Sequence, residues 1–421
     1  MRKGILLYIV GILTVIGFQN CGGYKSANLA QDSATQIQLP PGTGTTLSLG
    51  FNANLSGPNI VPLSVGACGI PNGINFACVT VTICLPGTTT CQTIPNISIS
   101  TNDSGLRIYK SAVTLALPNV NDTATGNPLG NCTNAYAAPY WGPVKSADVH
   151  LGGETAAAVP IQVVDSTFAT PPSACANPAS GPVASGANGV LGIGPFMYDC
   201  GPDCLTGTTD GMYFSCAGTT CTATTAAYAH QVTNPVALLP QDNNGVAITL
   251  PHVTNNHMST AVYGSLILGI GTASNNIPNS AVTSLPTDGF GGIKTTLNGT
   301  SSSLYFISEN QVNAFPNAEG IATCPAPNQS DLCAPSETIL PMTLRDGTAG
   351  TASVNTSITI GNVNTCDSST PLNVVCDDAG YVLPTGYTAV EAGIPFFFGK
   401  TIYFGLDSKQ TSLGVGPVYG L

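Results

Sequence analysis

The chain has 421 residues, and only 7% of them are charged, against roughly 25% in an average soluble domain. This low share excludes long amphipathic helices, because their solvent-facing sides need Lys, Glu and Arg. The 48 Gly and 32 Pro, together with 43% hydrophobic residues, indicate an all-β protein with many turns and a sizeable core. Ten Lys and Arg stand against 21 Asp and Glu, for a net charge of −11. Nucleic acid is therefore excluded as a partner, since such binding starts from clustered basic residues.

The first 20 residues have the features of an export signal. Two basic residues, Arg2 and Lys3, precede an apolar run, Gly4–Phe18, which is too short and wrongly flanked for a membrane-spanning helix. The run ends just before Cys21, so the segment resembles a bacterial lipoprotein signal, in which Cys21 would carry lipid. The alternative is an ordinary secretory signal with an incidental cysteine. We therefore expect a bacterial cell-envelope protein anchored by lipid, in the outer membrane, or a secreted protein.

The cysteine count favours disulfides. There are 15 Cys, and setting Cys21 aside leaves an even number, enough for seven bridges. Many connectivities are open; the pairing we predict joins mostly close neighbours: Cys68–Cys78, Cys84–Cys91, Cys132–Cys175, Cys200–Cys204, Cys216–Cys221, Cys324–Cys333 and Cys366–Cys376. The rival interpretation is metal binding, but no CxxC occurs and the four His form no zinc-like array. We expect no metal and no cofactor, and an oxidising compartment.

Turn signals and short apolar runs divide the remaining chain. We predict a signal peptide over residues 1–20, a polar tether over 21–48, an N-terminal β lobe over 49–272 and a C-terminal β lobe over 273–421. Predicted strands include 78–83, 97–100, 147–151, 159–164, 246–250, 264–269, 304–307, 357–360 and 396–404. Many short strands with few helices are typical of barrels or sandwiches.

Several Gly-rich apolar segments resemble a known architecture. Asn188–Gly194 is similar to a stretch in the N-terminal lobe of pepsin-like aspartic peptidases, and Phe397–Gly399 is similar to its counterpart in the C-terminal lobe. The chain resembles more closely a bacterial family of exported proteins of unknown function with the same two-lobed layout, over residues 58–421. The resemblance implies a two-lobed pepsin-like β-barrel architecture with few short helices. It places Tyr140 and Trp141 where a flap over the cleft would lie.

Peptidases of this kind use two carboxylates, one from each lobe, and each opens a tight Asp-Thr/Ser-Gly loop. The resemblance assigns the first loop to Ser100-Thr101-Asn102 and the second to Asn298-Gly299-Thr300, ahead of the apolar 304–306. A register that starts at Ser308 fits less well. The resemblance therefore places Ser100 and Asn298 at the two catalytic Asp positions, so both positions are degenerate.

Two nearby carboxylates are the fallback for catalysis, Asp103 beside the first loop and Glu309 after the second. Other chemistries lack their motifs, since there is no GxSxG elbow and no P-loop. We expect a noncatalytic envelope lipoprotein, a pseudopeptidase, which binds a peptide or surface protein in its interlobe cleft or has a structural role. The alternative is a hydrolase that uses a non-standard dyad.

Overall fold

The chain folds into short strands joined by turns, as its composition predicts. The computed structural model describes residues 55, 57–69, 73–133, 138–179, 187–208, 211–253, 257–348, 351–365 and 374–421. The signal, Cys21, the tether and Cys366 lie outside these ranges. None of the helices in the described part combines the length and apolar character that crossing a bilayer requires.

The strands of the N-terminal half are β1 Ile60–Gly66, β2 Phe76–Cys84, β3 Cys91–Ser100, β4 Ser104–Tyr109, β5 Leu129–Thr133, β6 Tyr140–Leu151, β7 Glu154–Val164, β8 Gly189–Ile193, β9 Tyr213–Ala217, β10 Thr220–Ala223, β11 Gly245–Leu250, β12 Met258–Ser259 and β13 Val262–Leu268. Those of the C-terminal half are β14 Ser284–Pro286, β15 Ile293–Leu297, β16 Thr300–Phe306, β17 Asn313–Phe315, β18 Cys333–Arg345, β19 Ser353–Asn362, β20 Val375–Cys376, β21 Gly380–Val382, β22 Val390–Ala392, β23 Lys400–Gly405, β24 Gln410–Thr411, β25 Gly414–Val415 and β26 Val418–Gly420. The helices are α1 Asp203–Thr206 and the 3-10 turns Lys110–Ala112, Ser173–Cys175, Tyr228–His230, Pro235–Leu238, Val363–Thr365 and Ile394–Phe397. The all-β prediction is confirmed.

One predicted strand differs from the structure. The sequence predicts a continuous strand over 396–404, but its first residues belong to the 3-10 turn Ile394–Phe397, and the strand begins only at Lys400. Pro395 lies at the start of that turn, where its fixed φ favours helical geometry and its missing N–H costs nothing.

Two curved, barrel-like sheets contain most of the strands. The larger has 15 strands in the order β10-β9-β5-β6-β7-β4-β8-β3-β2-β1-β13-β11-β23-β26-β14. The smaller has seven, in the order β19-β18-β15-β16-β22-β17-β21. Three strands from the C-terminal half, β14, β23 and β26, join the larger sheet, so the two halves of the chain are tied together by backbone hydrogen bonds.

The same three-strand arrangement occurs once in each half. β8 lies between β3, to which it is parallel, and β4, to which it is antiparallel. β22 lies in the same way between β16 and β17. In each case the outer strands are joined by a turn, over residues 101–103 in the first and 307–312 in the second. These two turns form the site described below.

An apolar core lies beneath the second turn. The ring of Phe306, the last residue of β16, packs against the rings of Phe396, Phe397, Phe404 and Tyr419 with centroid distances of 5.0 to 6.1 Å. Burying large aromatic side chains is strongly favourable. The residues that follow Phe306 are therefore held on a rigid base.

Six disulfides join described cysteines, and they coincide with six of the seven predicted pairs: Cys68–Cys78, Cys84–Cys91, Cys132–Cys175, Cys200–Cys204, Cys216–Cys221 and Cys324–Cys333. The seventh, Cys366–Cys376, involves a residue outside the described ranges. The bridges are spread over both halves of the chain, so they stabilise both sheets by constraining the unfolded state.

Candidate functional site

The two turns bond to each other reciprocally through their hydroxyl side chains. Thr101 Oγ1 donates to the Phe306 carbonyl at 2.7 Å and accepts from the Ser308 N–H at 2.9 Å. Ser308 Oγ in turn donates to the Ile99 carbonyl at 3.2 Å and accepts from the Thr101 N–H at 3.1 Å. Thr101 and Ser308 are thus equivalent positions in the two turns, and both are buried.

Close packing against glycines positions each turn. A Cβ on Gly192 of β8 would lie 2.7 Å from the Asp103 backbone, and one on Gly393, just after β22, would lie 2.0 Å from the Val312 carbonyl oxygen. Only glycine permits such an approach. The Gly-rich segment Asn188–Gly194, singled out in the sequence, therefore supports the first turn, and Gly393 supports the second.

The first turn also contacts a buried carboxyl group of the second. Ser100 Oγ donates to Glu309 Oε1 at 2.8 Å, and the Thr101 N–H lies 3.3 Å from Glu309 Oε2. Ser100 is fully buried and Glu309 is 7% exposed. The Asp103 N–H donates to Ser100 Oγ at 2.9 Å, so one hydroxyl links Glu309 to the end of the first turn.

Burial controls the protonation of this carboxyl. Burial first, and then the charge of the nearby Asp103, raise the pKa of Glu309 from 4.5 to about 8. The hydrogen bonds from Ser100 and Thr101 oppose this shift without cancelling it. At neutral pH, Glu309 is therefore mainly a neutral acid.

The structure does not bring Asn298 to the first turn, so Asn298 is not the equivalent of Ser100. Asn298 and Gly299 form the turn between β15 and β16, where the exposed Asn298 has φ +49° and its amide donates to Glu319 at 3.1 Å. The apolar 304–306 leads into the second turn instead of following it. Since Ser308 is the equivalent of Thr101, the equivalent of Ser100 is the preceding residue, Ile307.

The remaining predicted residues separate into two groups. The structure brings Ser100, Asp103 and Glu309 together, as described above. Tyr140 and Trp141 begin β6 and are only 5% and 0% exposed. They are thus core residues, and their assignment to an open cleft surface is not supported by their burial; the connection 134–137 between β5 and β6 lies outside the described residues.

Local packing accounts for the burial of these two aromatic side chains. The Trp141 ring packs against Phe168 and Phe214, and its indole N–H donates to the Ala169 carbonyl at 3.1 Å. Tyr140 packs edge-on against Tyr109, and burial together with that neighbour raises the pKa of the Tyr140 hydroxyl.

A second buried polar network lies beside the first turn and was missed by the sequence reasoning. Arg107 on β4 forms an ion pair with Asp199 at 3.0 Å, and both side chains are almost fully buried. Asp199 also accepts from the Tyr213 hydroxyl at 2.6 Å and the Asn131 amide at 3.1 Å. A lone Arg within an apolar strand was the available signal, because a buried charge requires a partner.

A known protein family matches most of the chain. The family described as "Protein of unknown function (DUF3443)" matches residues 56–421. The chain belongs to this family. No curated protein matches the sequence. The match covers both turns and both sheets, so the DUF3443 domain includes the whole of the site described here.

Proposed function

We propose that this DUF3443 protein is a noncatalytic pepsin-like protein of the bacterial cell envelope, with a binding or structural role. The observation that carries the proposal is the residue at the second catalytic position. If Thr101 and Ser308 are the hydroxyl residues of two Asp-Thr/Ser-Gly loops, the Asp positions are held by Ser100 and Ile307. An isoleucine can neither donate nor accept a proton.

The repeated architecture supports the pepsin-like part of the proposal. A two-carboxylate peptidase presents one loop from each lobe, and this chain has one three-strand arrangement with one turn in each half. The reciprocal bonds of Thr101 and Ser308 relate the two turns as equivalents.

The chemistry of the site supports the noncatalytic part. Aspartic peptidases need two carboxyl groups that share one proton, so that one activates water while the other protonates the substrate carbonyl. Here Ser100 supplies a hydroxyl, and that hydroxyl is already bonded to Glu309. Glu309 is mainly neutral below about pH 8, so it is a poor base at neutral or acidic pH.

A hydrolase with a non-standard dyad is the second candidate. It is favoured by the electrostatic coupling of Asp103 and Glu309, since the charge of Asp103 contributes to the raised pKa of Glu309. In such an enzyme, the neutral Glu309 would be the general acid and the half-buried Asp103 the general base.

A cleavage assay distinguishes the two candidates. We expect the purified mature protein to cleave no unstructured protein substrate from about pH 2 to 9, a range that spans carboxyl titration here. Cleavage that is blocked by a transition-state mimic of aspartic peptidases, and that is lost in Asp103→Asn or Glu309→Gln, would establish the hydrolase instead. Asp203→Asn, an exposed acid far along the chain, is the matched control.

The proposed location follows from the lipoprotein-like signal. We propose that Cys21 is lipidated and anchors the protein in the envelope, where the cleft between the lobes would bind a peptide or a surface protein. Metabolic labelling with a fatty acid should mark the wild type and not Cys21→Ser. Label that persists in the variant would leave an ordinary secretory signal as the explanation.

A further inference from the structure

Among the six disulfides of the described residues, one differs from the others because a histidine contacts it. Cys84 ends β2 and Cys91 begins β3, directly opposite each other in the antiparallel pair. Cys84 is fully buried, whereas Cys91 is exposed. The His150 ring on β6 places Nε2 at 3.1 Å from Cys84 Sγ. Cys84 Sγ therefore contacts an imidazole, and Cys91 is the exposed residue of the pair.

The hydrogen-bond partners fix the position of the imidazole proton. A disulfide sulfur has no proton to give, so Nε2 of His150 is the donor toward Cys84 Sγ. The other ring nitrogen, Nδ1, lies 2.9 Å from the Thr155 hydroxyl and accepts from it. Thr155 thus helps to hold the ring in the orientation that directs Nε2 at the buried sulfur.

We propose that the Cys84–Cys91 disulfide is a thiol-exchange site for small-molecule thiols. A thiolate attacks the exposed Cys91 Sγ, a new S–S bond forms to that sulfur, and the Cys84–Cys91 bond breaks. The electron pair of the broken bond passes to Cys84 Sγ, which leaves as a thiolate that accepts the His150 N–H. A second thiolate then attacks the mixed disulfide, releasing the oxidised small-molecule disulfide and a Cys91 thiolate.

The direction of attack follows from burial and stabilisation of the leaving group. Exchange requires access to the attacked sulfur, and it is faster when the leaving thiol has a lower pKa. A neighbouring imidazole donor stabilises a thiolate. Asp148 lies opposite Cys84 in the β2–β6 pair and would oppose this, but its carboxylate oxygens accept from the Gly87 and Ala158 N–H groups.

Cys84, Cys91 and His150 also have the composition of a metal site, since their ligand atoms lie within 4.8 Å of one another. While the two sulfurs are bonded to each other there is no thiolate to coordinate a metal. Exchange chemistry is therefore the use that the oxidised arrangement supports.

The molecule contains a matched control. Cys216 and Cys221 also lie directly opposite each other in a hairpin, with Cα atoms 4.1 Å apart against 4.0 Å for Cys84–Cys91. Cys216 is buried and Cys221 is half-buried. Cys216 Sγ lies 4.0 Å from the Phe214 carbonyl oxygen, and no imidazole contact to it is found among the described residues. A comparison of the exchange rates of the two hairpins within one sample therefore measures the combined effect of the histidine and of exposure. The His150 variant then separates the two effects.

The test is exchange with glutathione under native conditions, quenched by alkylation and read by peptide mass spectrometry. We expect the glutathione adduct on Cys91 and the alkylated thiol on Cys84, at a rate about tenfold above that of Cys216–Cys221. His150→Leu should reduce the Cys84–Cys91 rate by about tenfold and leave Cys216–Cys221 unchanged, and Thr155→Val should reduce it by a smaller factor.

Three outcomes would overturn the proposal. They are equal rates at the two hairpins, an adduct on Cys84, and a Cys84–Cys91 rate that His150→Leu leaves unchanged. The rate at Cys216–Cys221 in the same variant reports whether the fold is intact, so a general loss of structure is distinguished from loss of the imidazole.

Discussion

The wild-type protein should become less stable as pH rises from 5 to 8.5, and replacing Glu309 by glutamine should abolish this pH dependence. The folded pKa of Glu309 is about 8, against an ordinary value of 4.5. The protonated form is therefore favoured by folding, so the full stability is present below about pH 4.5 and is lost as pH rises through about 8. At about 1.4 kcal/mol for each pKa unit, the loss is on the order of a few kcal/mol. Glutamine stays neutral and should not show it.

The measurement is urea unfolding of both proteins at pH 5 and pH 8.5. Glu309→Gln should be slightly less stable than wild type at pH 5, because an amide cannot accept from both Ser100 and Thr101, and more stable at pH 8.5. The exposed-acid variant Asp203→Asn should follow the wild type at both pH values. A wild type and Glu309→Gln that lose stability in parallel would show that Glu309 is not the titrating group.

Thr101→Val should lower the free energy of unfolding by about 2 to 5 kcal/mol. Valine matches threonine in shape but cannot bond to the Phe306 carbonyl or to the Ser308 N–H. Each buried polar group left without a partner costs about 1–3 kcal/mol. Urea unfolding at pH 5, where Glu309 is neutral in both proteins, measures the effect without the titration described above.

Thr82→Val is the control for this substitution. Thr82 also lies on a strand, and its hydroxyl bonds to that of Thr93 at an exposed position, so its loss should change stability by less than about 0.5 kcal/mol. If Thr101→Val costs no more than Thr82→Val, the reciprocal bonds between the turns do not hold the two halves of the chain together.

Much of the architecture was readable because it depends on local sequence. Short apolar runs bounded by Gly, Pro and Asn predicted the strand-rich fold. The cysteine pairs of separation ten or less were readable because a short loop brings its ends together at little entropic cost. The pair Cys132–Cys175 is predicted because these two cysteines remain once the short-range pairs are assigned, and the structure has this bridge.

The misplaced second loop has a specific cause. Asn298-Gly299 is a dipeptide that strongly favours a two-residue hairpin, and the structure has a hairpin there. Matching it to an Asp-Ser-Gly pattern overrode that signal. The turn that pairs with the first one, over residues 307–312, contains no Asp and no Gly, so a motif search could not find it.

The contact between Ser100 and Glu309 could not be predicted from one sequence. The two residues are 209 positions apart and meet only because the two three-strand arrangements face each other. The sequence offers Glu309 as a fallback catalytic carboxylate, but not as a partner of Ser100. Its burial, and hence its raised pKa, depends on packing of both halves of the chain, which no local pattern records.

The most direct test of the noncatalytic proposal is the pKa of Glu309 in Asp103→Asn, measured by carbon-13 NMR of the side-chain carboxyl. If Asp103 and Glu309 do not form a proton-sharing pair, burial is the main cause of the shift. Glu309 in the variant should then still titrate well above 4.5, somewhat below its wild-type value of about 8. A fall to its ordinary value would show that the two carboxyl groups share one proton, as a catalytic dyad does, and would contradict the proposal.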